Sequence, residues 1–261
     1  MVDMSRVKLT VEYDGTNYVG WQVQPNGPSV QACIEGALAK LLGTTVSVFV
    51  SGRTDSGVHA LGQVIAFDHE TNRPLKAFVQ GLNSLMPDDV AVLKAEEVPA
   101  DFDPRRWARG KVYRYRISNR PVRSPLRRFT HWEIFKPLDV DAMRVAAKAL
   151  LGRHDFSAFR AADCQAAHAV REIFAVDIEG DGGGDISIRV HGSAFLKHMV
   201  RNLVGTLFEV GRGAEKPEWV AEVLAARDRT RSGQTAPAHG LCLETVFYGD
   251  GPRRDSGAAD E

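Results

Sequence analysis

The sequence predicts an α+β protein made of two ferredoxin-like β-α-β-β-α-β halves, with antiparallel or mixed sheets and flanking helices. Three observations lead to that class. Stretches that alternate apolar and polar residues, as half-buried strands do, are interleaved with stretches whose apolar residues recur at helical spacing. The order of these stretches over the first hundred residues recurs in the rest of the chain. The 261 residues are 44% hydrophobic and 25% charged, an ordinary globular balance. No apolar run approaches the ~20 residues that span a membrane.

In the first half, residues 8–13 (KLTVEY) alternate as a strand. Residues 30–42 carry Val30, Ile34, Ala37, Leu38 and Leu41 on one helical face, and Ser29 stands where an N-cap belongs. Residues 45–50 are β-branched and aromatic and read as a strand, as do 63–68. A helix is expected over 75–85, stopped near Pro87, and a last strand over 90–97. In the second half, 112–117 (VYRYRI) alternate as a strand. A helix follows over 140–151, ended by Gly152. Strands over 173–179 and 185–190 flank the glycine turn at 180–185. A helix over 195–210 carries Phe195, Met199, Leu203 and Leu207 on one face, an extra helix covers 218–226, and 241–248 close as a strand. The expected division is an N-terminal half over 1–104, a C-terminal half over 105–248 and a polar tail over 249–261. If helices cover one face of each sheet, the other face must be buried or bind something.

Composition removes several function classes. The start has no apolar signal core, so a cytoplasmic protein without membrane attachment is expected. Cys33, Cys164 and Cys242 form no CxxC pair and read as reduced thiols. No metal-ligand spacing and no phosphate-binding glycine loop is present, so neither metal nor cofactor is expected. Lys and Arg number 33, Asp and Glu 33, for a net charge of 0. That zero is a sum over unlike regions. Residues 105–128 hold ten basic residues and no acid: Arg105, Arg106, Arg109, Lys111, Arg114, Arg116, Arg120, Arg123, Arg127 and Arg128. Arg114 and Arg116 alternate with Tyr113 and Tyr115, so one strand face is basic and the other aromatic. Arginines beside exposed rings hold unstacked bases; a solvated edge strand with core tyrosines has the same pattern.

The sharpest local feature is SGRTDSGVHA at 51–60, a loop between two strands. Gly52 and Gly57 free the backbone around Arg53, Thr54 and Asp55. A carboxylate held there beside an arginine suits a nucleophile or general base; an Asx turn with a surface ion pair is the structural alternative. Ser51, Asp55 and His59 supply triad residue types, but no nucleophile elbow surrounds Ser51.

With these residues the chain resembles the tRNA pseudouridine synthases of the TruA type. The matching segments are YDGT at 13–16 with YVGWQ at 18–22, GRTDSGVHA at 52–60, KVYRY at 111–115, HDFSAFR at 154–160, FLKHMVRN at 195–202 and AHGL at 238–241. The resemblance implies a cofactor-free isomerase that turns uridines around positions 38 to 40 of the tRNA anticodon stem and loop into pseudouridine. It makes Asp55 the covalent nucleophile and Arg53 its partner, or the occupant of the space a flipped base leaves. Tyr113 would stack on the target uracil and Arg201 would lie near the carboxylate. Lys197, Arg105, Arg109, Lys111, Arg114, Arg116 and Arg160 would contact RNA, and a homodimer would share each tRNA. Ser56 stands where alanine is common, and Asp163, Cys164 and the stretch 166–169 depart from the family's more polar pattern. Without the Asp55 match, a non-catalytic RNA-binding protein would be favoured. A nucleoside hydrolase would want a second carboxylate, and none adjoins Asp55.

Overall fold

The structure is a computed structural model and describes residues 5–70 and 73–249; apart from Gly249, the expected polar tail lies outside them. In chain order the elements are β1 (Ser5–Tyr13), α1 (Val30–Leu42), β2 (Phe49–Val50), β3 (His59–His69), α2 (Leu75–Asn83), β4 (Val90–Val98), β5 (Ala108–Ser118), β6 (Trp132–Glu133), α3 (Val140–Ala147), β7 (Gly152–Asp155), β8 (Val170–Glu179), β9 (Asp185–Gly192), α4 (Met199–Gly211), α5 (Trp219–Ala226) and β10 (Leu241–Tyr248). The chain is α+β, with helices flanking mixed sheet. It divides into two compact units, Met1–Arg109 joined by the β10 residues from Leu243, and Gly110–Cys242. β5 therefore begins in the first unit, and β10 returns to it. No helix among the described residues is long and apolar enough to cross a membrane.

In the first unit the strand order is β4-β1-β3-β10, with β2 also on β3. β1 is antiparallel to both neighbours, with Leu9 opposite Ile65 of β3 and opposite Ala95 of β4. The two-residue period buries Val7, Leu9 and Val11, and β3 adds Ile65 and Phe67. Ile34 and Leu38 of α1 and Phe78 and Leu82 of α2 are buried with them. α1 has the expected limits: the Ser29 hydroxyl accepts from the Ala32 amide at 3.2 Å, and Gly43, at φ 75°, ends it. Ala66 lies on the opposite face of β3, under Phe102 and Trp107, whose rings meet edge to face at 5.2 Å. That face of the sheet is thus partly covered by the segment before β5.

The second unit has the strand order β5-β9-β8-β7, all antiparallel, with β6 parallel to β5. Tyr115 and Ile117 of β5 and Ile186, Ile188 and Val190 of β9 are buried on one face. α3 and α4 pack together, and Met143, Leu203, Val204 and Leu207 are buried with the strands. α4 is submerged on nearly every side, so its polar residues need partners. Asn202 donates to the Phe159 carbonyl at 2.8 Å and accepts from the Thr235 hydroxyl at 2.7 Å. Thr206 accepts from the Gly233 amide at 3.0 Å. A strap over residues 229–236 lies against α4, and a Cβ on Gly205 would come within 1.7 Å of the Gln234 carbonyl oxygen.

Several expected limits shift. Only Phe49–Val50 pairs within the strand expected over 45–50. β6 and β7, too short to alternate visibly, were not expected. α4 starts at Met199 rather than at Phe195, because His198 sits at φ 63° and breaks helical geometry.

Candidate active site

Asp55 lies in the segment between β2 and β3, half-buried, with Arg53 exposed beside it. Nearly every backbone turn around it is fastened. The Thr54 carbonyl accepts from the Trp21 amide at 3.0 Å, and the Thr54 hydroxyl meets the Tyr13 hydroxyl at 2.8 Å. Gln63, fully buried, donates to the Gly52 carbonyl at 2.9 Å and accepts from the Ser51 hydroxyl at 2.8 Å. The Asp55 carbonyl accepts from the Val58 amide at 3.1 Å, closing a turn in which Gly57 takes φ 76°. The Ser56 hydroxyl and the Gly57 amide both donate to the Tyr18 carbonyl.

The partner of this loop is the segment 13–22, the other early motif. Two glycines make the close approach possible. A Cβ on Gly15 would come within 2.0 Å of the Val58 carbonyl oxygen. One on Gly20, at φ 111°, would come within 2.8 Å of the Thr54 carbonyl oxygen. The Gly15 amide donates to His59 Nδ1 at 3.0 Å, which makes that nitrogen an acceptor. Asp14 Oδ1 lies 3.0 Å from the same nitrogen. Burial raises the Asp14 pKa, but the Thr16 hydroxyl and amide and the nearby His59 outweigh it and hold the carboxyl below its usual value. The loop is therefore a pre-formed mount for one carboxylate, which a surface Asx turn would not need.

In the second unit the Tyr113 ring meets Phe195 edge to face, with centroids 5.1 Å apart. Tyr113 is 8% exposed, whereas Tyr115 is wholly buried and donates to the Pro237 carbonyl at 2.8 Å. Burial pushes the Tyr115 hydroxyl far above its usual pKa, so it stays protonated as that donor. Arg201, in the first turn of α4, donates from Nε to the Ala236 carbonyl at 2.8 Å, while its own carbonyl accepts from the Ala236 amide. The strap over α4 thereby fixes the guanidinium.

A family model for tRNA pseudouridine synthase matches residues 9–105 and 146–249, and so takes in the Asp55 loop, the segment that mounts it, and α4 with its strap. The chain belongs to the tRNA pseudouridine synthase family. A tRNA pseudouridine synthase A of Myxococcus xanthus is 65% identical over 259 residues, 98% of each chain. Those of Pelobacter propionicus and Geotalea uraniireducens are 54% and 52% identical over 245 residues, 94% of this chain and 100% of each relative. Membership makes the chain an enzyme, an isomerase that converts uridine in tRNA to pseudouridine.

The synthase brings some of its sequence-read residues together within each unit. Lys197 pairs with Asp163 at 2.5 Å, and its carbonyl accepts from the Ala161 amide, which sets Arg160 and Lys197 near the start of α4. Arg105 and Arg109 belong to the first unit and are exposed; Arg109 donates to the Trp107 carbonyl at 3.3 Å. Lys111 shares the Tyr113 face of β5 by the two-residue period, whereas Arg114 and Arg116 lie on the other face, opposite Arg189 and Ser187 of β9. Phe195, Gln63, Gly20 and Thr54 have positioning parts that the sequence reading did not assign. The glycine of the segment VGW was the one visible hint, since a glycine between large apolar residues marks close backbone approach.

Proposed function

We propose that the synthase acts on uridines around positions 38 to 40 of the tRNA anticodon stem and loop, with Asp55 as its nucleophile. The observation that supports this most is the mount of Asp55. A loop pinned through Thr54, Gln63 and two obligatory glycines holds one half-buried carboxylate, in a sequence that resembles the TruA-type signature. The carboxylate attacks ribose C1′ or base C6, and the N1–C1′ bond breaks. The detached uracil turns, C5 joins C1′, and the bond to Asp55 breaks, which returns the carboxylate. C5 gives up its proton and N1 gains one, so the product is an isomer and no cofactor is consumed. Bringing the base out of its stack costs a few kcal/mol.

The remaining roles follow from the resemblance and from local geometry. Tyr113, backed by Phe195, offers a fixed ring for the uracil, which keeps the detached base from leaving. Arg201, fixed by Ala236, supplies a stationary cation, and Arg53, exposed beside Asp55, suits the gap left by the flipped base. Arg105, Arg109, Lys111, Arg160 and Lys197 contact phosphates and position the RNA without reading sequence. Each half is ferredoxin-like: the element order β1-α1-β2-β3-α2-β4 supports this for the first. The enzyme is a cytoplasmic homodimer.

The test uses unmodified tRNA transcript with no added cofactor, and maps pseudouridine by chemical labelling. Wild type gives product at 38 to 40, while Asp55→Asn binds the transcript and gives none, a loss of about 10³-fold or more. Wild-type turnover by Asp55→Asn would overturn the nucleophile assignment, and product at other positions would overturn the site.

A further inference from the structure

The Asp55 loop leans on the segment 13–22, and that segment has little regular structure of its own. Between β1 and α1 the chain makes one 3-10 turn, Gly15–Asn17, and a single bridge between Gln24 and Gly27. Its position therefore depends on what fastens it from outside. One residue does so twice. The Asp89 carbonyl accepts from the Asp14 amide at 2.9 Å, and the Asp89 carboxylate accepts from the Tyr18 hydroxyl at 2.6 Å. Asp89 is itself well held. The Val90 amide donates to the Pro87 carbonyl at 3.1 Å, and Val90 opens β4 opposite Tyr13 of β1.

Tyr18 carries the fastening on to the loop. Its ring is buried, and its amide donates to the Gly15 carbonyl at 3.1 Å. Its own carbonyl accepts from the Ser56 hydroxyl at 3.2 Å and the Gly57 amide at 3.3 Å, the two residues that follow Asp55. One residue thus separates the Asp89 carboxylate from the loop that presents Asp55. A half-buried carboxylate on a buried phenol is an expensive way to fill space, and packing alone would be served by a phenyl ring. What the pair provides is a short bond to an ionised acceptor, stronger and more directional than a neutral one. Burial and the Asp89 bond push the Tyr18 pKa well above its usual value, which keeps the hydroxyl a donor. The Cys33 thiol of α1 lies beside the same hydroxyl, and burial keeps it protonated too.

We propose that Tyr18 and Asp89 form a clasp that sets the Asp55 carboxylate for attack. They are positioning residues, which act through Ser56 and Gly57 rather than on the RNA. The proposal rests on Asp55 being the nucleophile and names what holds it in line. A carboxylate displaced by a fraction of an ångström still faces its substrate, but it reaches the attacking geometry less often. The clasp therefore belongs to the rate of the chemical step and not to tRNA affinity.

The test is single-turnover conversion of a labelled tRNA transcript at saturating enzyme, with transcript affinity and thermal melts measured on the same proteins. Tyr18→Phe keeps the packed ring and removes the bond. Asp89→Ala removes it from the other side, and Asp89→Asn keeps an acceptor oxygen in place. The expected result is a rate constant lowered roughly 10- to 100-fold in Tyr18→Phe and in Asp89→Ala, with transcript affinity unchanged. Asp89→Asn should recover much of the loss. The double variant of Tyr18→Phe and Asp89→Ala should be no slower than the worse single one, because the pair acts as a unit. Asn83→Ala is the comparison for stability alone. The Asn83 amide donates to the Val92 carbonyl at 3.0 Å and accepts from the Val92 amide at 2.7 Å, which ties α2 to β4. That variant should melt lower and keep the wild-type rate. Wild-type rates in Tyr18→Phe and Asp89→Ala, with Asp55→Asn inactive in the same assay, overturn the clasp and leave the nucleophile standing. Turnover by Asp55→Asn overturns the nucleophile and the clasp with it. Weakened transcript binding at an unchanged rate overturns the positioning role in favour of an RNA contact. An Asn83→Ala enzyme slowed as much as Tyr18→Phe overturns it in favour of a general loss of stability.

Discussion

In the proposed reaction, Tyr113 holds the base through a single ring. Its edge-to-face contact with Phe195 needs the ring and not the hydroxyl. Tyr113→Phe should therefore keep tRNA affinity and most of the stacking. Tyr113→Ala should lower kcat/KM roughly 10- to 100-fold, the cost of one lost base stack. Single-turnover conversion of a labelled transcript separates the two, and equal activity of Ala and Phe variants would remove Tyr113 from the base-holding role. At this scale the sequence was partly legible. Asp55 stood out because glycines and an arginine surround it within a few residues. The hydroxyl of Tyr13 on Thr54, and Gln63 beneath the loop, join positions 41 and 11 residues apart, and no local pattern reports such pairs.

Among the elements, α1 and α4 behave differently for a physical reason. α1 was readable to the residue because its cap, its apolar face and its terminal glycine are all local signals. α4 was misread at its start because the apolar period runs on through Phe195, while His198 in the left-handed region ends the helix there. Phe195 belongs to the Tyr113 contact, so its apolar character serves the site. The two helices also predict opposite outcomes for the same substitution. Gly36→Ala in α1 meets no atom within 4 Å and should stabilise by about 1 kcal/mol. Gly205→Ala in α4 would drive a methyl into the Gln234 carbonyl and should cost about 1–3 kcal/mol. The strap it lifts carries Ala236, so kcat should fall with the melting temperature as Arg201 loses its anchor. Thermal melts and turnover of both variants check this, and a Gly205→Ala enzyme with normal kcat would show that the strap does not set Arg201.

For the whole molecule, acid should act in two steps. Burial, aided by the cations Arg116, Arg127 and Arg120 and opposed by Asp185, holds His131 below its ordinary 6.5. Its contribution to stability is complete above pH 6.5 and is lost as pH falls through the lower folded value. The Arg6 guanidinium on Asp68, at 2.7 and 2.8 Å, holds that carboxyl below 3.8, so its contribution is lost only as pH falls below that. The melting temperature should decline in both windows, and His131→Gln should flatten the upper one alone. An unchanged slope just below pH 6.5 would remove His131 from the account. The α+β class was legible at this scale because periodicity reports elements one by one. The exchange of strands between the units was not, since it depends on where the final strand returns. That return also has a consequence in time. A ribosome delivers β1 to β4 long before β10, so during synthesis part of the β3 edge has no neighbour until residues from Leu243 onward emerge. The unit that carries Asp55 begins first and waits for β10, so a nascent chain halted before Leu243 would leave a bare strand edge prone to pairing with the wrong partner.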